Sequence, residues 1–161
     1  MGVQPIEGRM TAGHESEVVV FHIGVRINSF AAVRSWWPVV KAMGPMLAEL
    51  HRDRDGGLLG ARQLLAGPRE VHVVQYWESK EKLLAYAAAP DRSHRPAWSA
   101  FNRRLREGRG KVGFWHETYV VPAGAHEAIY MNMPPTGLAK ATDVVPVARR
   151  GDRAAARLRL S

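Results

Sequence analysis

From Glu17 to Asn28 the chain alternates between two kinds of position. Val19, Phe21, Ile23, Val25 and Ile27 share one face of an extended segment, while Val18, Val20, His22, Gly24, Arg26 and Asn28 share the other. The first face is apolar throughout; the second passes from apolar to polar along its length. A strand built this way packs one side on helices and meets a partner or a cavity with the other, although the pattern does not say which side is which. Asn28 or Ser29 is placed to cap the segment that follows. Phe30, Val33, Trp37, Val40, Gly44 and Leu47 then recur at helical spacing, interrupted by Pro38 and Pro45. Because proline lacks a donor and clashes with the preceding turn, this predicts a short turn to about Trp36, a main helix from near Pro38, and a bend or restart near Pro45.

Two β-rich runs follow, Leu58–Leu65 and Val71–Trp77, joined by turn-forming residues at Ala66–Glu70. Ser79 is the expected cap of a helix reaching about Ala88. Pro90 ends it, and Asp91 or Ser93 opens a second segment with Trp98, Phe101 and Leu105 on one face. Val112–Val121 alternates again, with Phe114, His116 and Thr118 opposite Trp115, Glu117 and Tyr119. "AIYMNMPPTGL" predicts a short strand and then a Pro-Pro loop. The order strand, helix, strand, strand, helix, strand is the ferredoxin-like βαββαβ arrangement, an α+β fold with an antiparallel sheet. Its helices lie on one face, so the bare face calls for cover, most simply a second copy of the chain. The expected organisation is a flexible N-terminus over 1–16, one domain over 17–139, and a basic flexible tail over 140–161.

Composition narrows the chemistry. The 161 residues carry a net charge of +8. The segment from Lys140 onward holds six Lys/Arg against two Asp, half of that excess. Such a tail can touch nucleic acid or acidic surfaces, but it reads as a solvated terminus, and no base-reading motif accompanies it. Cysteine is absent, which excludes disulfides, thiolate metal sites and cysteine nucleophiles and fits a cytoplasmic protein. No apolar run approaches the ~18 residues that span a bilayer, and the N-terminal residues show no apolar signal core. The histidines at 14, 22, 51, 72, 94, 116 and 126 form no i, i+4 pair with a carboxylate, so no zinc motif is visible. Neither a glycine-rich nucleotide loop nor a nucleophile elbow is present.

Four groupings could carry chemistry. His94 and Trp98 lie four apart at a helix entrance, where an imidazole beside aromatics can act as acid or base, or ligate haem iron. His116 shares its strand face with Phe114 and Thr118. His22, Arg26 and Asn28 recur at period two, placing them at one cavity or at a subunit seam, with Arg26 able to hold an anionic oxygen. Asn132 precedes the rigid Pro-Pro of a segment able to lid a pocket or pin the C-terminal arm. Trp77, Tyr86, His94 and Trp98 are expected to wall one side of an apolar, aromatic cavity under a broken helix.

"FHIGVRIN", "WWPVVKAMGPMLAEL", "LLGARQLL", "QYWESKEKLLAYA", "HRPAWSAFNRR", "GFWHETYVV" and "YMNMPPTGL" together resemble a little-characterised monooxygenase-like family of the dimeric α/β-barrel superfamily, over about Val18 to Val147. The resemblance implies a homodimer whose sheets face each other and a pocket between each sheet and its own helices. Trp77-Glu78-Ser79 is similar to the W-x-S corner of small oxygenases in that superfamily, and Tyr86 falls where relatives line the pocket. The implied function is oxidation of an apolar or aromatic small molecule. Arg26, Asn28, Tyr86 and His94 would be the catalytic group, and His22, Trp77, Trp98, His116 and Asn132 would bind substrate. The cofactor is either none or haem b. In the haem case the enzyme would be of the aldoxime-dehydratase or oxygenase kind, with His94, or else His116, on the iron; spacing from Tyr86 places the relatives' ligand nearer Pro96–Trp98. A non-catalytic dimeric binding protein is the third reading.

Overall fold

The computed structural model describes residues 3–52, 55–89, 99, 102–103, 106–107 and 110–159, without the side chains of 42, 46, 49 and 50. Its main sheet has four antiparallel strands in the order β3-β4-β2-β5, formed by β2 (Val18–Ile27), β3 (Leu58–Leu65), β4 (Glu70–Trp77) and β5 (Val112–Val121). α1 (Val33–Arg52) and α2 (Lys80–Ala88) make the connections that the ferredoxin-like α+β fold requires. Residues 99, 102, 103, 106 and 107 are helical.

The structure settles which face of β2 meets the helices. Val25 packs with Val39 of α1 and Val112 of β5, joined by Trp36, Met43 and Phe114. Val19 packs with Trp77 and Leu83, joined by Phe21, Leu47, Leu58 and Tyr86. The odd-numbered, uniformly apolar face is therefore the helix side. The stripe that α1 turns inward is Trp36, Val39, Met43 and Leu47: Leu47 is as expected, and the other three each stand one position before the expected Trp37, Val40 and Gly44. Val33 and Trp37 are instead about half exposed, at 50% and 54%. α1 is also continuous through Pro38 and Pro45, where a helix start near the first and a bend or restart near the second were expected. The two prolines stand seven apart, so their missing donors fall on one side of the helix.

Both termini depart from the expectation of flexibility. β1 (Ile6–Ala12) is the centre of a second antiparallel sheet, β6-β1-β7, with β6 (Tyr130–Met133) and β7 (Val144–Pro146). α3 (Gly137–Ala141), a 3₁₀ turn at Val147–Arg149 and α4 (Ala154–Arg157) complete this layer. Ala12, Leu138 and Ala139 close over Val18 of the main sheet, with Leu59, Tyr76 and Val121 around them. One end of the supposedly bare face is thus covered by the chain's own terminal segments, not by a second copy. Two arginines of the expected tail explain the order. Arg150, 5% exposed, donates from Nη1 to the carbonyls of Ala12 (2.9 Å) and His14 (3.0 Å). Arg157, 3% exposed, makes a two-pronged contact to Glu127 Oε2 at 2.9 and 2.8 Å and donates to the carbonyls of Gly151 and Asp152. Buried guanidinium groups with these partners tie strands and loops together instead of facing solvent.

No helix among the described residues is long and apolar enough to cross a membrane.

Candidate functional site

The corner where β4 becomes α2 organises the helix side of the sheet. Trp77 is fully buried, and its indole Nε1 donates to Gln75 Oε1 at 2.9 Å. Residues two apart on a strand share a face, so both side chains point toward the helices. The chain then turns: Glu78 N donates to the Gly57 carbonyl at 2.9 Å, and Ser79 adopts extended backbone. Ser79 Oγ accepts from Lys82 N at 3.2 Å, which caps α2 as the sequence predicts. Starting the helix there swings Leu83 and Tyr86, three apart, back over the indole. The Trp77 and Tyr86 rings lie 5.4 Å apart and tilted by 43°. Along the same sheet face, Phe21 lies 5.5 Å from His116, which lies 5.9 Å from Phe114.

This wall is aromatic and apolar, with two polar groups set into it. Gln75 is 7% exposed. Its Oε1 accepts from Trp77, which fixes the orientation of the amide and leaves the Nε2 hydrogens to donate elsewhere. His116 is exposed and carries the face's imidazole among the described residues. Such a surface can stack a flat ring, donate to an oxygen through an amide, and exchange a proton through an imidazole. Neither Gln75 nor the Phe21–His116 contact was singled out from sequence. Gln75 sits in the alternating run "EVHVVQYW", where a polar residue on the apolar side was the available signal.

The remaining candidates divide between this wall and other places. Trp77, Tyr86 and His116 lie on the helix side. His94 and Trp98 lie outside the described residues. His22 and Arg26 are on the opposite, outer face of the sheet. There Arg26 Nη1 donates to Glu70 Oε1 at 3.0 Å. His22 packs with His72 (5.2 Å) and Trp115 (4.7 Å), and the Nε2 atoms of both histidines are buried without a hydrogen-bond partner. The Trp115 indole lies across Gly24. Asn28 Nδ2 donates to the Gly110 carbonyl at 2.8 Å. Arg26 and Asn28 therefore do not converge with Trp77 and Tyr86: a whole sheet separates them, because strand alternation sends even and odd positions to opposite sides. Asn132 is also elsewhere. Its backbone has φ 52°, and its Oδ1 accepts from Gly8 N at 2.9 Å across the small sheet, so it pins the N-terminal strand. On the outer face Arg26, Glu117 and Tyr119 remain exposed. Tyr119 donates to Glu117 at 2.6 Å, and this hydrogen bond raises the phenol's pKa above the ordinary value.

Comparison with known proteins places these features in context. The family model described as Monooxygenase af470-like matches residues 18–138. Monooxygenase af470 of Aspergillus fumigatus is 25% identical over 130 residues, covering 75% of this chain and 45% of that protein. The chain thus spans less than half the length of this curated relative. Among solved structures, SnoaB, a cofactor-independent oxygenase from Streptomyces nogalater, is 12% identical with a TM-score of 0.37, over 65% of this chain and 91% of that one. Protein SO0527 from Shewanella oneidensis is 11% identical with a TM-score of 0.42, over 74% of this chain and 97% of that one.

Proposed function

This chain belongs to the monooxygenase af470-like family, and from that membership we propose that it oxidises an apolar, aromatic small molecule in the hollow between the main sheet and its helices. The observation that carries the reading is the Gln75–Trp77–Tyr86 arrangement: a partly buried phenol ring backed by a buried indole, beside an amide whose donors that indole orients. An electron-rich substrate can supply the electrons itself. A ring methylene and dioxygen give a carbonyl and water: one oxygen atom enters the carbon, and the other leaves with its two hydrogens. No external reductant is required. The ring stacks on Tyr86, with Trp77 behind it, Gln75 donates to the oxygen that gains charge as the C–H proton leaves, and His116 takes that proton. Arg26, Asn28, His22 and Asn132 take no part in this wall. A second copy resting on the still-exposed part of the outer face belongs to the same proposal, tested by light scattering.

Haem is the alternative group that the resemblance implied. Among the described residues the helix-side face of the sheet offers one imidazole, His116, and no Lys or Arg to pair with propionates. His94, the iron ligand that the resemblance put first, lies outside the described residues, and no step is derived through haem.

The test is oxygen uptake by purified protein with a panel of polyphenols and anthrone-like ring ketones. Uptake by protein with no Soret band is expected, with Gln75→Leu lowering kcat about 10²-fold, as for loss of one oxyanion donor. A Soret band that tracks activity, or turnover unchanged in Gln75→Leu, would overturn the assignment.

A further inference from the structure

A cleft lies away from the aromatic wall, at the free edge of β3. The end of α1, the Pro135–Gly137 turn and α3 enclose about 480 Å³ there, and the lining includes His51, Arg62, Gln63, Tyr76, Thr136 and Lys140. Among the described residues, no Asp or Glu lines it. Among the described residues, neither Arg62 nor Lys140 has a carboxylate partner, whereas Arg9, Arg26, Arg150 and Arg157 each do. A concave surface lined by charge of one sign concentrates potential and draws ions of the other.

The cleft is built rather than incidental. Arg62 Nη1 donates to Thr136 Oγ1 at 3.2 Å, across 74 positions of sequence. That bond orients the guanidinium and leaves most of its fork of donors for an incoming oxygen. α3 sits directly on the strand: a Cβ added to Gly60 would lie 2.7 Å from Ala141 Cβ. Only glycine permits this approach, which holds Lys140 and Arg62 at a set spacing. At Gly137, with φ +56°, an added Cβ would lie 3.4 Å from the Tyr76 and Tyr130 hydroxyls, so the turn is seated against two phenols. Burial, with the neighbouring Tyr130, raises the Tyr76 pKa and keeps its hydroxyl a donor. His51 Nδ1 lies 2.7 Å from the Leu47 carbonyl, so that nitrogen carries hydrogen and Nε2 is left for another partner.

We propose that this cleft binds a small organic oxyanion, a carboxylate or a phosphate ester, between Arg62 and Lys140. The proposal does not depend on the oxidation chemistry, because the aromatic wall lies on the other side of the sheet from Arg62 and Tyr76.

The experiment is a titration of the full chain with inorganic phosphate and, separately, with citrate. Ionic strength is held constant with chloride, and binding is read from the melting temperature and from amide shifts of Gly60 and Gly137. A saturable rise with either probe is expected, together with shifts at those two glycines. The tighter probe identifies the phosphate or the carboxylate source. Arg62→Gln and Lys140→Gln should each weaken binding about tenfold or more, the size expected for one charged hydrogen bond, while melting without ligand stays close to the parent. A linear response to both probes, no response, or parent-like affinity in both variants would overturn the proposal.

Discussion

Gly24→Ala is the sharpest test of how the outer face is packed. The Trp115 ring lies over this position, and an added Cβ would fall 2.5 Å from indole Nε1 and 2.6 Å from Cζ2. Ordinary carbon contacts lie at about 3.5–4.0 Å, so the ring must move by about 1 Å. Displacing it disturbs its edge contacts with His22 at 4.7 Å and His72 at 5.0 Å. Overpacking of this kind costs about 1–3 kcal/mol. Against that, alanine restricts the unfolded chain and contributes about 0.4–1 kcal/mol. The net expectation is a loss of about 1–2 kcal/mol, or a Tm lower by about 2–8 °C for a chain of this size. Because the three nearest atoms all belong to Trp115, the sign should reverse once the ring is gone. In a Trp115→Ala background, Gly24→Ala should stabilise by about 0.4–1 kcal/mol. A double-mutant cycle in urea, followed by far-UV circular dichroism so that loss of an indole does not alter the probe, reads this coupling. Equal cost in both backgrounds would show that the ring does not lie over Gly24 and would refute the packing argument.

Other consequences are open to simpler measurements. Ser79→Ala removes the cap from α2 and should lower stability by about 1 kcal/mol in urea unfolding, while Ser79→Asp should retain most of it. Arg157→Leu strands Glu127 and should cost about 3 kcal/mol, much of it recovered in Arg157→Leu/Glu127→Leu, where neither charge is left unpaired. His126 offers a pH test. Its Nε2 lies 3.2 Å from the Ser16 carbonyl and therefore carries hydrogen, while its Nδ1 is buried without a partner. Desolvation of that ring lowers its pKa; the hydrogen bond to Ser16 acts the other way, and the nearby Arg150 and His14 add to the lowering. The folded value is thus below the unfolded one, and the unfolded chain binds the extra proton first. Stability should fall as pH drops through about 6.5 and stop falling from this cause below the folded pKa. His126→Gln should flatten the urea midpoint across that window, and an unchanged slope would argue against the assignment.

The terminal layer shows where reading a sequence stops. "IEGRMTA" has no run of alternating apolar residues, so nothing local marks it as a strand. It becomes one because Met10 and Thr11 pair with Pro146 and Val145, more than 130 positions away. The tail's arginines read as solvated charge for the same reason, since their carbonyl and carboxylate partners are supplied by other segments. Of the inward stripe of α1, Leu47 was expected and the other positions were missed by one. Phe30, an apolar member of the expected stripe, is instead stacked under the Arg69 guanidinium at 4.4 Å. Periodicity counts apolar residues without knowing which of them a neighbouring segment will cover.

Local pattern by itself determined the βαββαβ order, the extents of β3 and β5, the Ser79 cap and the division of β2 into two faces. Each of these rests on side-chain alternation or on a hydrogen bond between near neighbours. Tertiary structure alone decided which face of β2 looks toward the helices, and so separated Arg26 and His22 from Trp77 and Tyr86. It also brought Gln75 beside the indole, joined Arg62 to Thr136 and set Lys140 in the same cleft. Those outcomes depend on burial and charge pairing between segments remote in the chain, and their energies exist only once the segments meet.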